Sequence, residues 1–360
     1  MSRAGFLLVI LLLSLMVPPA IQAQTLRIAT FHTELERDGP GLLYRDILSG
    51  PTADVTAVIA TIRAATPDIL LLQGFDHDSE ERALTALRDR LMTEGIDYPF
   101  QFAPPSNRGR LDGVDLNGDG RISLPDDAQG YGEFRGQGAM ALLSRFPLDT
   151  ANTRDFSGLL WADLPDARTP LNTDGTPYPS LPARKAQRLS TTGHWIVPVG
   201  TPQGRLDILA FHATPPVFDG PEDFNGLRNA DEITFWRHYL DGRLGPVSDA
   251  PFVILGIANL DPQLGKGDRD ALSKLLTDPR VTDPAPQGAK GRATVEWANV
   301  SPPQQRVDYA LPASSLTVRG SGIVWPVGSD AGRHGLVWVD VEFPDTAATA
   351  APKATSGGVD

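Results

Sequence analysis

Four short apolar runs, each handing polar side chains to a loop, constrain this chain more than anything else in its sequence. They are LRIATFHTE (Leu26–Glu34), DILLLQGFD (Asp68–Asp76), LDILAFHATPP (Leu206–Pro216) and FVILGIANLDP (Phe252–Pro262). An unbroken apolar run of this length is the signature of a strand buried on both faces. Each ends in His, Gln, Asp or Asn, and the last breaks at Gly256 before delivering Asn259 and Asp261. The chain is therefore expected to gather several strand ends at one rim.

Between these runs the hydrophobic spacing changes period. Val55, Val58, Ile59 and Ile62 recur at helical spacing over Asp54–Ala65, and Leu84, Leu87 and Leu91 do so over Glu80–Glu94. Gly138–Arg145 predicts another buried strand. His194–Val199 and Arg205–Phe211 predict a hairpin turning at Gln203-Gly204. Ala230–Leu240 and Asp268–Leu276 predict helices, and Arg306–Leu311, Leu316–Val318 and Leu336–Phe343 predict closing strands. Thr150–Ser190 is Pro-rich and expected to be a long surface loop. Trp195, Trp236, Trp325 and Trp338 lie in apolar patterns and are expected in the core. The alternation of strand and helix argues for a layered fold.

The ends of the chain read differently. Arg3 precedes the apolar run Phe6–Val17, followed by Pro18-Pro19 and small residues to Ala23. This is the pattern of a secretory signal peptide over 1–23, its apolar run short for a membrane span. The expected location is secreted or periplasmic, with no transmembrane span after cleavage, and the protein is expected to be a monomer. The chain has no cysteine, so core size or bound ions must supply the stability that disulfides give other exported proteins. The tail 345–360 is rich in Ala, Thr and Pro and expected to be disordered, which leaves 24–344 as the domain. A formal net charge of −12 gives no global attraction for nucleic acid, so any phosphate must be met by local cations or by metal.

Within a polar insertion over 104–134, Asp115–Asp126 (DLNGDGRISLPD) follows the twelve-residue calcium loop position by position. Asp115, Asn117 and Asp119 supply oxygens at positions one, three and five. Gly120 allows the turn at six, Arg121 offers its carbonyl, Ile122 is the apolar residue, and Ser123 and Asp126 close the loop. Ca2+ is expected here as a structural clip. Position twelve is Asp rather than Glu, which shortens its reach.

Taken together, TFH at Thr30–His32, PDILLLQG at Pro67–Gly74, GQGAMALLSRFPL at Gly136–Leu148, LAFHATPP at Leu209–Pro216, LGIANLDP at Leu255–Pro262, RVDYAL at Arg306–Leu311 and GRHGLVWVD at Gly332–Asp340 resemble the endonuclease/exonuclease/phosphatase superfamily. The resemblance covers Leu26 to Phe343. It implies an α+β fold, a four-layer α/β/β/α sandwich with two mixed β-sheets. It also implies a metal-dependent phosphodiesterase or nuclease-like hydrolase acting on a phosphate ester in a nucleic acid, nucleotide or phospholipid headgroup. Carried over residue by residue, His212 is expected at the phosphate or as general acid, and His334 matches the final catalytic His. Asp308 matches the acid that orients a His or the metal's water, and Asn259 the Asn that binds a phosphate oxygen. His32, Arg145 and Arg228 are expected as substrate contacts.

Four positions depart from the pattern. The Asp of Gly-Asp-x-Asn is Ile257, the metal-ligand Glu is Gly74, the Asn after Phe31 is His32, and the Asp before the last His is Arg333. With Mg2+ or Mn2+ as the implied cofactor, Asp76 and Glu34 are the expected replacement ligands. His32, His212 and His334 would favour a softer transition metal. The alternative is a catalytically inactive member, a calcium-stabilised protein that binds a phosphate-bearing ligand. A calcium-dependent adhesion module is a third reading, and it predicts no convergent pocket.

Overall fold

The computed structural model describes residues 25–328 and 332–344. The expected signal peptide at 1–23 and tail at 345–360 lie outside the described residues. Two sheets pack face to face. In the first, β1 (Leu26–Leu35) pairs in parallel with β2 (Ile69–Phe75), and antiparallel β3 (Phe100–Phe102) and β4 (Ala139–Ser144) extend that side. In the second, β5 (Arg154–Asp155), β6 (His194–Thr201) and β7 (Gly204–His212) form an antiparallel run, and β7 pairs in parallel with β8 (Phe252–Ile257). A short ribbon of β9 (Val295–Glu296) and β10 (Gln304–Gln305) follows. β11 (Asp308–Pro312) closes the second sheet against β8. β12 (Thr317–Val324) and β13 (Leu336–Glu342) return to the first sheet beside β1.

Alternation along the strands builds three cores. Ile28, Ile69, Leu71 and Leu142 point inward to meet Val197, Ile208, Val253 and Leu255 of the facing sheet. Ala29, Phe31, Leu70 and Leu72 point outward beneath α1 (Leu42–Leu48), α2 (Ala53–Ala65) and α3 (Arg82–Thr93). Ile196, Leu209, Phe211 and Ile254 do the same on the far side, chiefly beneath α5 (Phe224–Leu240) and α6 (Arg269–Leu276). A short α4 (Leu181–Ala186) lies in the expected long loop. All seven residues of β2 are buried, which is why it reads as continuous hydrophobicity rather than alternation. The result is the expected four-layer sandwich with two mixed sheets. Trp195 and Trp236 are buried, and Trp325 and Trp338 pack at the core's edge.

Two local expectations need correction. Gly256 does not end its strand. It has φ +155°, and a Cβ there would lie 2.0 Å from the Phe211 carbonyl oxygen, so glycine lets β8 approach β7 closely and continue to Ile257. The helix expected from Ala230 begins at Phe224. Its first turns bury Arg228, Asn229, Asp231 and Glu232, and buried polar groups hide the apolar stripe from a periodicity reading. No helix among the described residues is long and apolar enough to cross a membrane.

Candidate active site

Topology brings the site together. β1 and β2 are parallel and end at the same rim, with His32 opposite Gln73. β7 and β8 are parallel in the other sheet, with His212 opposite Ile257. Antiparallel β11 starts at this rim with Asp308 opposite Ile257. His334 stands just before β13, which begins at Leu336 and runs antiparallel to β1.

The imidazoles of His32 and His334 stack at 4.5 Å between centroids, and His212 meets His32 edge-on at 5.3 Å. His334 Nδ1 lies 3.0 Å from Asp308 Oδ2, a pairing that fixes the ring and leaves Nε2 free. The Asp308 amide donates to Thr294 Oγ1, so the carboxylate is held from its own backbone outward. Burial pushes the His32 imidazole down to about 4, helped by His334. It holds His212 well below the ordinary value, with His32 and Arg108 adding to the effect. Both rings are therefore neutral at pH 7. Glu34 lies beside them on a bulge where the β1–β2 register shifts, at φ +52°. Arg333 donates to it from its side chain and its backbone amide. Burial works against the Glu34 charge, but His334 and Arg333 together hold its carboxyl below the usual range. Donor atoms of His32, Glu34 and His334 lie within 4.8 Å of one another.

The replaced positions have structural answers. Gly74 has φ +60°, and a Cβ there would sit 2.8 Å from His32 Cε1 and 3.1 Å from Nδ1. The His32 ring thus lies where a longer residue at 74 would begin. Ile257 is buried with Val295 and Val307, and Trp297 packs on them, so an apolar plug replaces a carboxylate. Asn259, at φ +50°, donates its amide to the Ala213 carbonyl at 2.8 Å, one residue past His212.

Other expected residues fall elsewhere. Arg145 follows β4 at the opposite end of the first sheet and pairs with Asp68 at 3.3 Å, because antiparallel β4 ends where β2 begins. It is not at the rim. Arg228 sits within α5 rather than ahead of it, and its guanidinium donates to the carbonyls of Leu189, Gln129 and Arg188. Burial lowers it to about 10. Asp76 accepts from the Gly138 and Arg37 amides, one on each oxygen, and ties two loops together rather than joining the histidines. Burial raises it to about 6 against those bonds.

In the expected calcium loop, Asp115 accepts from the Gly118 and Gly120 amides, Asn117 from Asp119, and Asp119 from Arg121. Asp126 is exposed. The neighbouring Asp127 is buried and accepts from Leu116, Asn117 and Ser123. The close convergence of donors seen at the rim is not met by Asp115, Asp119 and Asp126.

Sequence reasoning missed Arg108, which reaches out of the polar insertion toward His212 and Glu36 and lines a cavity of about 700 Å³ bounded by the insertion and the start of α5. Nothing in its local sequence marks it.

A family model described as Endonuclease/Exonuclease/phosphatase family matches residues 46–330. The chain belongs to that family. Its members hydrolyse phosphate esters, commonly with divalent metal ions. A comparison with curated proteins gives no match. Among solved structures the chain is similar to an endonuclease/exonuclease/phosphatase from Beutenbergia cavernae, at 18% identity and TM-score 0.55, covering 89% of this chain and 72% of that one. It is also similar to family proteins from Leptotrichia buccalis (14% identity, TM-score 0.52, 88% and 100% covered) and Bacteroides thetaiotaomicron (12%, 0.51, 90% and 99%). At such identities these neighbours speak for the fold alone.

Proposed function

We propose that the chain is a secreted or periplasmic phosphodiesterase-like hydrolase whose rim histidines carry the reaction. The observation behind this reading is the meeting of His32, His212 and the Asp308–His334 pair at one rim of a family fold. A phosphodiester is anionic and repels nucleophiles, so its hydrolysis needs a base for water and cations for the developing charge. In this reading Asp308 orients His334, whose Nε2 serves as base for the water or, with an ion bound, as that ion's ligand. Neutral His212 would donate a hydrogen bond to the phosphoryl group, and Arg333 and Arg108 would supply positive charge at the edges of the site. Water adds to phosphorus and gives up a proton to the base, the P–O ester bond breaks, and the leaving alkoxide takes a proton from solvent. The family's divalent ion, when bound, would neutralise phosphate charge. The magnesium expected for it is a poor match to these donors, since Ile257 and Gly74 offer no side-chain oxygen and imidazole nitrogens stand at the rim instead.

The buried plug around Ile257 favours the second reading, a binding protein without turnover. A panel of DNA, bis-p-nitrophenyl phosphate and sphingomyelin, each with magnesium, manganese and calcium, separates the two. Metal-dependent hydrolysis that disappears in His212→Ala supports the hydrolase. No hydrolysis above that variant overturns it. The leader at Phe6–Val17 supports the location, and the register of Asp115–Asp126 supports Ca2+ as a clip on the insertion. A melting temperature unmoved by chelation would remove the calcium.

A further inference from the structure

We propose that the rim is a nitrogen-donor site for a borderline transition-metal dication of the zinc and cobalt class, ligated by imidazole nitrogens of His32 and His334 and a carboxylate oxygen of Glu34. The inference concerns the same rim as the hydrolase reading but names its ion, and it stands whether or not the protein turns over.

Three observations carry it. First, among the described residues these three side chains form the group whose ligand atoms all lie within 4.8 Å of one another. Tetrahedral zinc with donors at ~2.0–2.1 Å places them ~3.3 Å apart, so modest rotamer movement closes the site. Second, polar atoms around it are buried and unpartnered. His32 Nδ1, His212 Nδ1 and Asp308 Oδ1 have no hydrogen-bond partner, and His212 and Asp308 are 4% and 0% exposed. Buried polar atoms normally find partners, and several orphans at one place mark a missing one. Third, the exchange of donors is reciprocal. Glycine at 74 removes a side chain at the position where the His32 ring now lies, so the imidazole and a residue bearing a Cβ at 74 exclude each other without movement.

The chemistry of the set then selects the ion. Magnesium demands near-octahedral oxygen ligands, whereas imidazole suits zinc, cobalt, copper and nickel. Glu34 retains acceptor capacity on both oxygens while Arg333 donates to them, so the ion pair need not break fully. Asp308 holds His334 by Nδ1 and leaves Nε2 for the ion, the arrangement by which carboxylates orient metal-bound histidines. Asp308 is therefore a positioning residue.

The test titrates Co2+ into tag-free, chelator-stripped full-length protein and reads visible absorption, with Zn2+ and Mg2+ as competitors. The expected result is an intense four- or five-coordinate spectrum saturating near one equivalent, displaced by Zn2+ and not by a thousandfold excess of Mg2+. His32→Asn and His334→Asn should abolish it, and Asp308→Asn should weaken binding about 10–100-fold. His77→Asn and Asp115→Ala, neither in the converging donor group, should leave it unchanged. Circular dichroism confirms that each variant is folded. Should His32→Asn not fold, Glu34→Gln replaces it, with weakened binding expected. The proposal is overturned by a spectrum retained in folded His32→Asn or His334→Asn, by wild-type affinity in Asp308→Asn or Glu34→Gln, by only the weak absorption of octahedral cobalt, by displacement at equal Mg2+, or by no binding. Hydrolysis enters none of these readouts, so a dead enzyme that binds cobalt sinks the hydrolase and leaves the site standing.

Discussion

Ile257→Asp restores the residue type that the family motif carries, and the surroundings of Ile257 say it will harm the protein. Ile257 is 1% exposed, packs on Val295 and Val307, and stands opposite Asp308 across the β8–β11 pair. Removing a fully buried Ile side chain loses about 1.5–3 kcal/mol of burial. A carboxyl group among valines, without a partner, adds roughly 1–3 kcal/mol. The sum, about 2.5–6 kcal/mol, is a large part of the ~5–15 kcal/mol that keeps a domain folded. At about 2 °C or somewhat less per kcal/mol for a chain of this size, the melting temperature should fall by roughly 5–12 °C. Because like charges facing each other raise one another's carboxyl values, the loss should be smaller at pH 5 than at pH 8. Thermal unfolding of the wild type, Ile257→Asp and an Ile257→Val control measures this, the control costing about 0.5–1.5 kcal/mol. An aspartate variant melting within 2 °C of wild type, or hydrolysing faster in magnesium at no cost in stability, would mean that position 257 faces a solvated site and that the plug is misread.

Three further outcomes are open to measurement. His194 is fully buried between the Ser190 hydroxyl and the Glu232 carbonyl, and burial lowers it from 6.5 to about 4. The unfolded chain therefore binds more protons between those values, so stability is full above pH 6.5 and falls as pH drops toward 4, by up to about 3 kcal/mol. His194→Gln should flatten that slope, and an unchanged slope in urea titrations across the range refutes the assignment. Gly74→Ala should cost about 1–2 kcal/mol from its left-handed backbone alone. It should also couple to His32→Ala by at least ~0.5 kcal/mol in a double-mutant cycle, and additivity would deny the ring contact. Without calcium, Asp127→Ala should cost about 2 kcal/mol or more, because three backbone amides lose their acceptor, while Asp126→Ala stays within ~0.5 kcal/mol. With calcium, Asp126→Ala should lose the ion's stabilisation, and an equal response of both variants with and without calcium counts against the loop.

The layers of this fold were legible because burial leaves a plain mark. Runs such as Ile69–Leu72 can only be strands covered on both faces, and parallel pairing follows from the helices between them. His212, Asp308 and His334 were legible as a constellation because strand ends carry them in family order. What stayed hidden was set by pairing across the chain. Arg145 looks like any arginine after a strand, and only the antiparallel direction of β4 puts it at the wrong end. Asp76 looks like a spare ligand two residues past Gly74, yet two backbone amides from distant loops occupy it. Arg228 reads as a substrate contact, although three carbonyls hold its guanidinium against a helix whose first turns bury their polar residues.

The departures at the rim are better described as exchanges than as losses. A site that merely decays leaves holes and unpaired charges, because each substitution arrives without its partner. Here the glycine at 74 faces a ring that fills its space, Arg333 faces the carboxylate of Glu34, and Ile257 faces two valines. Each pair joins residues far apart in sequence, from 32 to 74, from 34 to 333, and from 257 to 295 and 307. Matched contacts of this kind keep the packing tight around the rim imidazoles. The nitrogens of His32 and His212, with Asp308 Oδ1, are among the buried atoms left without a partner, and the two imidazoles meet edge-on at the rim. Those bare atoms are what the cobalt titration proposed above would fill or leave bare.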